Sequence, residues 1–238
     1  EEGPPHVFKV AKEPFKNPPS WLVEGDASSA SYPLALAAIT GGTVTVTNCG
    51  SASIQGDSDF CKLLGKMGCE VKQTDTTTTV TGPQPPNVLK AIEGDVDMDS
   101  MTDLFMTLGA VAAVSNGTTR IVNIANQRVK ECNRIEAMVL ELKKCGVECK
   151  ELETGIEVTG NPQLRQRKTP DNPVYIDPRD DHRLAMSFAV LASAVPGIAI
   201  QEKSCVNKTY PSFWDHAQKM GIRVEPYAAP TNKRQKTD

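Results

Sequence analysis

What most constrains this chain is a self-similarity repeated at intervals of 75 to 80 residues. The glycines that precede predicted strands, Gly42, Gly117 and Gly197, are spaced by 75 and 80. Those that close charged helices, in Lys66-Met67-Gly68, Lys144-Cys145-Gly146 and Lys219-Met220-Gly221, are spaced by 78 and 75. Glycine at a helix end is common, so either series alone means little. Two independent landmarks sharing one period predict three copies of an α/β unit, each too small to bury its helices alone, packed round a common core. With 238 residues and 39% hydrophobic content, the chain has enough apolar material for that core.

The units read in the same order. In the first, Trp21-Leu22-Val23 is a short strand, Asp26 caps a helix carrying Leu34, Leu36, Ala37 and Ile39, and Pro33 kinks or restarts it before Gly41-Gly42. Thr43 to Thr47 alternates as a half-buried strand does, a helix runs from about Asp57 to Met67, and strands follow at Cys69 to Gln73 and Thr77 to Thr81. In the second, Asp103 caps a small-residue helix through Val114. A strand from Thr118 to Asn123, a helix to Lys144 and a strand pair near Val147 to Lys150 and Ile156 to Thr159 come next. In the third, Asp181 begins a small-residue helix, Ile198-Ala199-Ile200 is a strand, Pro211 sits in the first turn of a helix, and Ile222-Arg223-Val224 is its strand. Residues 1–19 are a Pro-rich connector with only Val7-Phe8-Lys9-Val10 strand-like, residues 20–226 hold the three units, and 227–238 is a polar linker with the basic run Lys233-Arg234-Gln235-Lys236.

Composition removes several function classes. A formal net charge of −3 and 5% aromatics argue against a nucleic-acid surface. Seven cysteines, odd in number and without a CxxC pair, suggest reduced thiols in a cytoplasmic protein rather than a disulfide framework or a zinc site. The longest apolar run, Leu184 to Ile200, is broken by Ser187, Ser193 and Pro196 and suits a buried helix and strand better than a membrane span. The opening residues lack the apolar core of a signal peptide.

Charge is local instead. Asn126-Gln127-Arg128-Val129-Lys130-Glu131-Cys132-Asn133-Arg134 holds three fixed cations and a carboxylate where an irregular segment becomes a helix. Free N–H groups at a helix start favour anions, and Arg adds a forked donor suited to carboxylate or phosphate. Lys130, Glu131 and Arg134 have the spacing to share one helix face. Shifting by 75 lays Gln55, Gly56 and Asp59 of the first unit on Lys130, Glu131 and Arg134, so the charges are a specialisation of the second unit. The third places Lys208 just before its helix. Asp181-His182-Arg183 puts a cation at a helix start, where the dipole disfavours it unless an anion compensates. The plain reading is that Asp181 caps the helix and pairs with Arg183 while His182 fills space. Asp103 has N-cap as its plain role; beside a cation-held substrate it could also accept a hydroxyl proton. With no metal-ligand set and no Gly-rich phosphate loop, the expected site is a cation-lined cleft for a multiply charged anion, without cofactor.

Val23-Glu24-Gly25-Asp26-Ala27-Ser28-Ser29-Ala30-Ser31-Tyr32, Gln55-Gly56-Asp57, Arg128-Val129-Lys130-Glu131, Asp181-His182-Arg183 and Lys208-Thr209 together resemble, in order and spacing, the 5-enolpyruvylshikimate-3-phosphate (EPSP) synthase family. The likeness runs from about Trp21 to Val224, and Cys132-Asn133 is similar to the synthase domain of fungal pentafunctional arom polypeptides. It implies one lobe of an inside-out α/β barrel, with helices in the centre and sheets outside, in a transferase of aromatic amino acid biosynthesis. It further implies that Asp103, Asn126 and Lys130 contact shikimate 3-phosphate. Arg134, Arg183 and Lys208 would hold phosphoenolpyruvate, with Asp181 and His182 beside them, and Glu131, with Lys130 or Asp103, would move protons.

The family has two lobes of three units each, and this chain matches only the second. The Lys-Ser pair, Gly-rich segment, arginine and Ser-Ser-Gln run of the first lobe are missing, so the expected partner is an N-terminal lobe and the expected turnover of this chain alone is little or none. UDP-N-acetylglucosamine enolpyruvyl transferase shares the fold, though the Arg-Val-Lys-Glu wording favours the shikimate enzyme. A noncatalytic folding or interaction module is the reading from a different class.

Overall fold

The computed structural model describes residues 12–85, 87–168 and 172–226. The strand-like Val7 to Val10 and the tail from Tyr227 with its basic run lie outside the described residues.

Helix α1 (Ala27–Thr40) starts where the Asp26 carboxylate accepts the Ser28 N–H at 3.1 Å, and it ends at Gly41, whose φ of 78° is the left-handed conformation a terminal glycine supplies. Of the kink or restart expected at Pro33, the restart does not occur: α1 runs through it as one helix, because proline's φ suits a helix, at the loss of the N–H it cannot offer to the Ser29 carbonyl. Strand β1 (Thr43–Thr47), a 3-10 turn at Gly56–Asp59, α2 (Phe60–Lys66), β2 (Glu70–Gln73) and β3 (Thr77–Thr81) complete the unit, with sheet order β1-β3-β2, all antiparallel.

The second unit repeats this plan. Strand β4 (Asp95–Asp97) and a 3-10 turn at Asp99–Leu104 lead into α3 (Phe105–Ala112); β5 (Gly117–Val122), a 3-10 turn at Ala125–Val129, α4 (Arg134–Lys144), β6 (Glu148–Leu152) and β7 (Gly155–Gly160) follow. Its sheet order is β4-β5-β7-β6, with β4 parallel to β5. The third unit contains β8 (Val174–Ile176), α5 (His182–Ala192), β9 (Ile198–Ile200) parallel to β8, a 3-10 turn at Lys203–Lys208 and α6 (Phe213–Lys219).

Helices α1, α3 and α5 are apolar on nearly all sides; every residue of α3 is buried, which defines a core helix rather than a surface one. They pack against one another, and Ser31, Thr107 and Ser187, spaced by 76 and 80, meet there with hydroxyl oxygens 3.3 and 3.4 Å apart. Helix α4 is amphipathic and covers the outside of this centre. Gly82, just after β3, and Gly160, the last residue of β7, occupy similar places. A Cβ on either would collide with a carbonyl of the adjacent central helix, Ala37 in one unit and Ala112 in the other, so strand and helix can touch only through glycine.

Three further expectations are corrected. Trp21-Leu22-Val23 is irregular and 73–84% exposed, because among the described residues no strand pairs with it; the Val23 carbonyl is held by Asn48 Nδ2 at 3.1 Å. Ile222-Arg223-Val224 forms no strand either: the Ile222 N–H goes back to the Ala217 carbonyl of α6, and the third sheet has only β8 and β9 among the described residues. Asp103 does not cap α3; it lies in the preceding 3-10 turn, and its side chain is taken by more distant groups.

Candidate active site

The starts of α3, α4 and α5 converge on one buried guanidinium, that of Arg134, which is 1% exposed. It is the first residue of α4, where the helix dipole disfavours a cation. Compensation comes from three carboxylates. Asp181, cap of α5 and fully buried, is held at 2.6 Å by Nε and 3.3 Å by Nη2; Asp103 Oδ1 lies 3.0 Å from Nη1, and Glu131 Oε2 2.7 Å from Nη2. Lysine cannot make this forked, planar set of bonds.

Around the hub the other expected residues are paired in turn. Asp181 Oδ1 accepts the Arg183 backbone N–H at 2.9 Å, but the expected Asp181–Arg183 ion pair is absent: the Arg183 guanidinium lies 3.2 Å from Asp103 Oδ2 and donates to the Tyr32 hydroxyl of α1. Lys208 Nζ meets Glu131 Oε1 at 2.6 Å. Glu131, Lys208, Arg179, Asp180, Ser204 and Cys205 line an open depression of about 350 Å³. Asn126 Nδ2 donates to Thr102 Oγ1 at 3.2 Å, and Lys130 is exposed nearby, close enough to favour the Asp103 carboxylate.

Two details of the expected anion end change. Lys130, Glu131 and Arg134 do not share a helix face, because Asn133 caps α4 through its bond to the Glu136 N–H and helix begins only at Arg134. Glu131 reaches Arg134 from the turn instead. Arg128 faces away: its guanidinium pairs with Glu151 at 2.5 Å and donates to the carbonyls of Leu152 and Glu153, clamping the β6–β7 hairpin.

These contacts set the protonation states. Burial raises the Asp103 carboxyl, but Arg183, the Gln127 amide and Arg134 outweigh it and the net displacement is downward. Glu131, against the same opposing burial, is brought down to about 2 by the Lys208 bond, its backbone bond and Arg134. His182 is buried with both ring nitrogens unpartnered; Nδ1 stands 3.9 Å from Glu131 Oε1 and from Asp181 Oδ1, and burial lowers its pKa despite those carboxylates. On the α1 side, burial raises Asp57, which accepts a bond from the Ser28 hydroxyl. Among the described residues no group of three His, Cys, Asp or Glu side chains is set to hold a metal, and no helix is long and apolar enough to cross a membrane.

The Glu131 displacement has a measurable consequence. A carboxyl lowered on folding stabilises fully above its ordinary value of 4.5 and loses that contribution as pH falls toward about 2. The melting-temperature difference between wild type and Glu131→Gln should therefore be largest above pH 4.5 and close toward pH 2. A difference that stays constant over this range would contradict the assignment.

Sequence reasoning passed over Gln127, Tyr32, Asp57 and Ser28. Gln127 lay within the charged motif but carries no charge; the signal that could have found it is that a helix-start arginine needs neutral acceptors as well as anions.

Three α/β repeats with buried central helices, and a cation–carboxylate cluster at the helix starts, define an α/β repeat lobe with a charged end. The family profile of EPSP synthase (3-phosphoshikimate 1-carboxyvinyltransferase) matches residues 2–217. The chain belongs to that family. It is 54% identical over 217 residues to the pentafunctional AROM polypeptide of Yarrowia lipolytica, covering 90% of this chain and 13% of that one. Two solved structures of EPSP synthase from Acinetobacter baumannii superpose with TM-scores of 0.71 and 0.69 at 28% and 26% identity. They cover 85% and 87% of this chain but only 47% and 48% of theirs, so the chain spans about half the length of those enzymes.

Proposed function

We propose that residues 20–226 form the C-terminal lobe of a cytoplasmic enzyme that transfers the enolpyruvyl group of phosphoenolpyruvate to the 5-hydroxyl of shikimate 3-phosphate, with residues 1–19 and 227–238 as connectors. The observation that carries this reading is the convergence of Asp103, Glu131, Arg134, Arg183 and Lys208 on one end of the repeat. The partner is the missing N-terminal lobe.

In this reaction the 5-hydroxyl oxygen bonds to C2 of phosphoenolpyruvate while C3 gains a proton. The adduct then loses a C3 proton, and the C2–O bond to phosphate breaks. Asp103, kept ionised by Arg183, Gln127 and Arg134, receives the hydroxyl proton. Glu131 or Lys130 serves C3, and Arg183 and Lys208 hold the phosphoenolpyruvate anion while preorganised cations stabilise charge reaching the leaving phosphate.

In this chain Lys208 and Arg183 already hold carboxylates, so an incoming anion must displace Glu131 and Asp103. Binding by this lobe alone is accordingly weak. Calorimetric titration with phosphoenolpyruvate should give a Kd on the order of 1 mM, about −4 kcal/mol, weakening with added salt. Arg183→Ala and Lys208→Ala should each weaken it about tenfold, the loss of one charge-assisted bond. Salt-independent binding, or binding untouched by both substitutions, would overturn the site.

A further inference from the structure

Gln127 is fully buried within the charged cluster, and its amide touches three residues of the proposed site. Its Oε1 accepts from Arg134 Nη1 at 2.9 Å; its Nε2 donates to Asp103 Oδ1 at 3.0 Å, to Thr102 Oγ1 at 3.0 Å and, more weakly, to Asn126 Oδ1 at 3.4 Å. A guanidinium can only donate and an ionised carboxylate only accept, so the amide has one possible orientation. Arg134 Nη1 also reaches Asp103 Oδ1 directly at 3.0 Å, which closes a ring of three side chains. Both bonding directions at Asp103 Oδ1 are then occupied, by Arg134 and by Gln127. Oδ2, with Arg183 Nη2 at 3.2 Å as its partner among the described residues, keeps a bonding direction for a further donor.

We infer that Gln127 is a positioning residue that turns the Asp103 carboxylate so that Oδ2, and not Oδ1, is the oxygen presented to the substrate hydroxyl. The chemistry of the position demands a carboxamide. Leu would take one acceptor from the buried guanidinium and one of the two donors from Asp103 Oδ1, Glu would add a fourth carboxylate to the cluster, and Lys would face Arg134. Thr102 belongs to the same device: its hydroxyl takes both the Gln127 and the Asn126 amides and fixes the turn that carries Asp103.

This role rests on the proposed reaction only for its consequence in turnover; the orientation of Asp103 can be tested without it. Carbon-13 NMR of the 238-residue chain, with Asp103→Asn to assign the signal, gives the Asp103 titration in wild type and in Gln127→Leu. Losing a hydrogen bond that favours the ionised form should move its midpoint up by about one pH unit. An unchanged midpoint in a variant that melts cooperatively would overturn the inference. If Gln127→Leu does not fold, Gln127→Met removes the same amide on an unbranched side chain of similar length, with the same upward displacement expected and the same unchanged midpoint counting against it. In a two-lobe enzyme, the acid limb of the kcat profile should move up with the Asp103 midpoint, and kcat at neutral pH should fall on the order of tenfold to a hundredfold while the KM for phosphoenolpyruvate changes less than threefold. A fall in kcat with no movement of the acid limb would reduce Gln127 to a packing residue. A wild-type two-lobe protein without turnover would instead refute the reaction and leave the NMR result standing.

Discussion

Replacing Arg134 with Ala should lower the melting temperature of this chain by on the order of 10 °C. The side chain compensates Asp181, which is fully buried, and also binds Asp103 and Glu131, so its removal strands negative charge at the start of α5. Breaking a buried ion pair from one side typically costs about 3–5 kcal/mol. At about 2–4 °C per kcal/mol for a domain of this size, the expected fall follows. Arg134→Lys should recover little, because one ammonium cannot serve carboxylates on three sides. Asp181→Asn in the Arg134→Ala background should recover part, since it removes the stranded charge and keeps an oxygen for the cap of α5. Calorimetry of the four proteins checks this. A loss below about 2 °C for Arg134→Ala, under 1 kcal/mol by the same conversion, would mean that the cluster is solvated and that Arg134 is not its hub.

The features legible in the sequence are those set by local chemistry. Asp26 and Asp181 cap their helices through N–H groups two residues on, and Gly41, Gly68, Gly146 and Gly221 sit at positive φ where the helices stop. Such signals need no knowledge of the rest of the chain. The repeat then supplied what local signals cannot, namely that the three small-residue helices belong together at the centre. Trp21 to Val23 and Ile222 to Val224 have strand composition, but a strand exists only beside another, and neither has one among the described residues.

The site divides in the same way. That Glu131, Arg134, Arg183 and Lys208 belong to one cluster followed from comparing units and from the family resemblance. Which carboxylate meets which cation did not, since pairing depends on distance across the fold. Arg183 is two residues from Asp181 in sequence yet pairs with Asp103, 80 residues away, because the capping geometry of Asp181 directs its oxygens to the Arg183 N–H and to Arg134. Arg128 was indistinguishable from a site cation until the β6–β7 hairpin stood beside it. Gln127 was overlooked for lack of charge, although its amide is the neutral link that the surrounding charges require.

The second large effect concerns turnover. Arg134, Arg183 and Lys208 each have a carboxylate partner within the chain, and among the described cations of this cluster only Lys130 and Arg179 have none, so the lobe keeps little free positive charge for two anionic substrates. Closing a second, cation-bearing lobe over this face would supply charge, exclude water and complete the orientation of both reactants; effects of that kind account for about 7–11 kcal/mol in well-oriented reactions, or at least 10⁵-fold in rate. The central claim is that this chain is one wall of a two-walled site, and phosphate release measures it directly. With phosphoenolpyruvate and shikimate 3-phosphate present, the purified chain should release no phosphate above background, and mixing or fusing it with the N-terminal lobe of an EPSP synthase should raise the rate to on the order of 1–100 per second, ordinary for an enzyme. Release at such a rate by the chain alone, or no release after the second lobe has been shown to bind, would contradict the account.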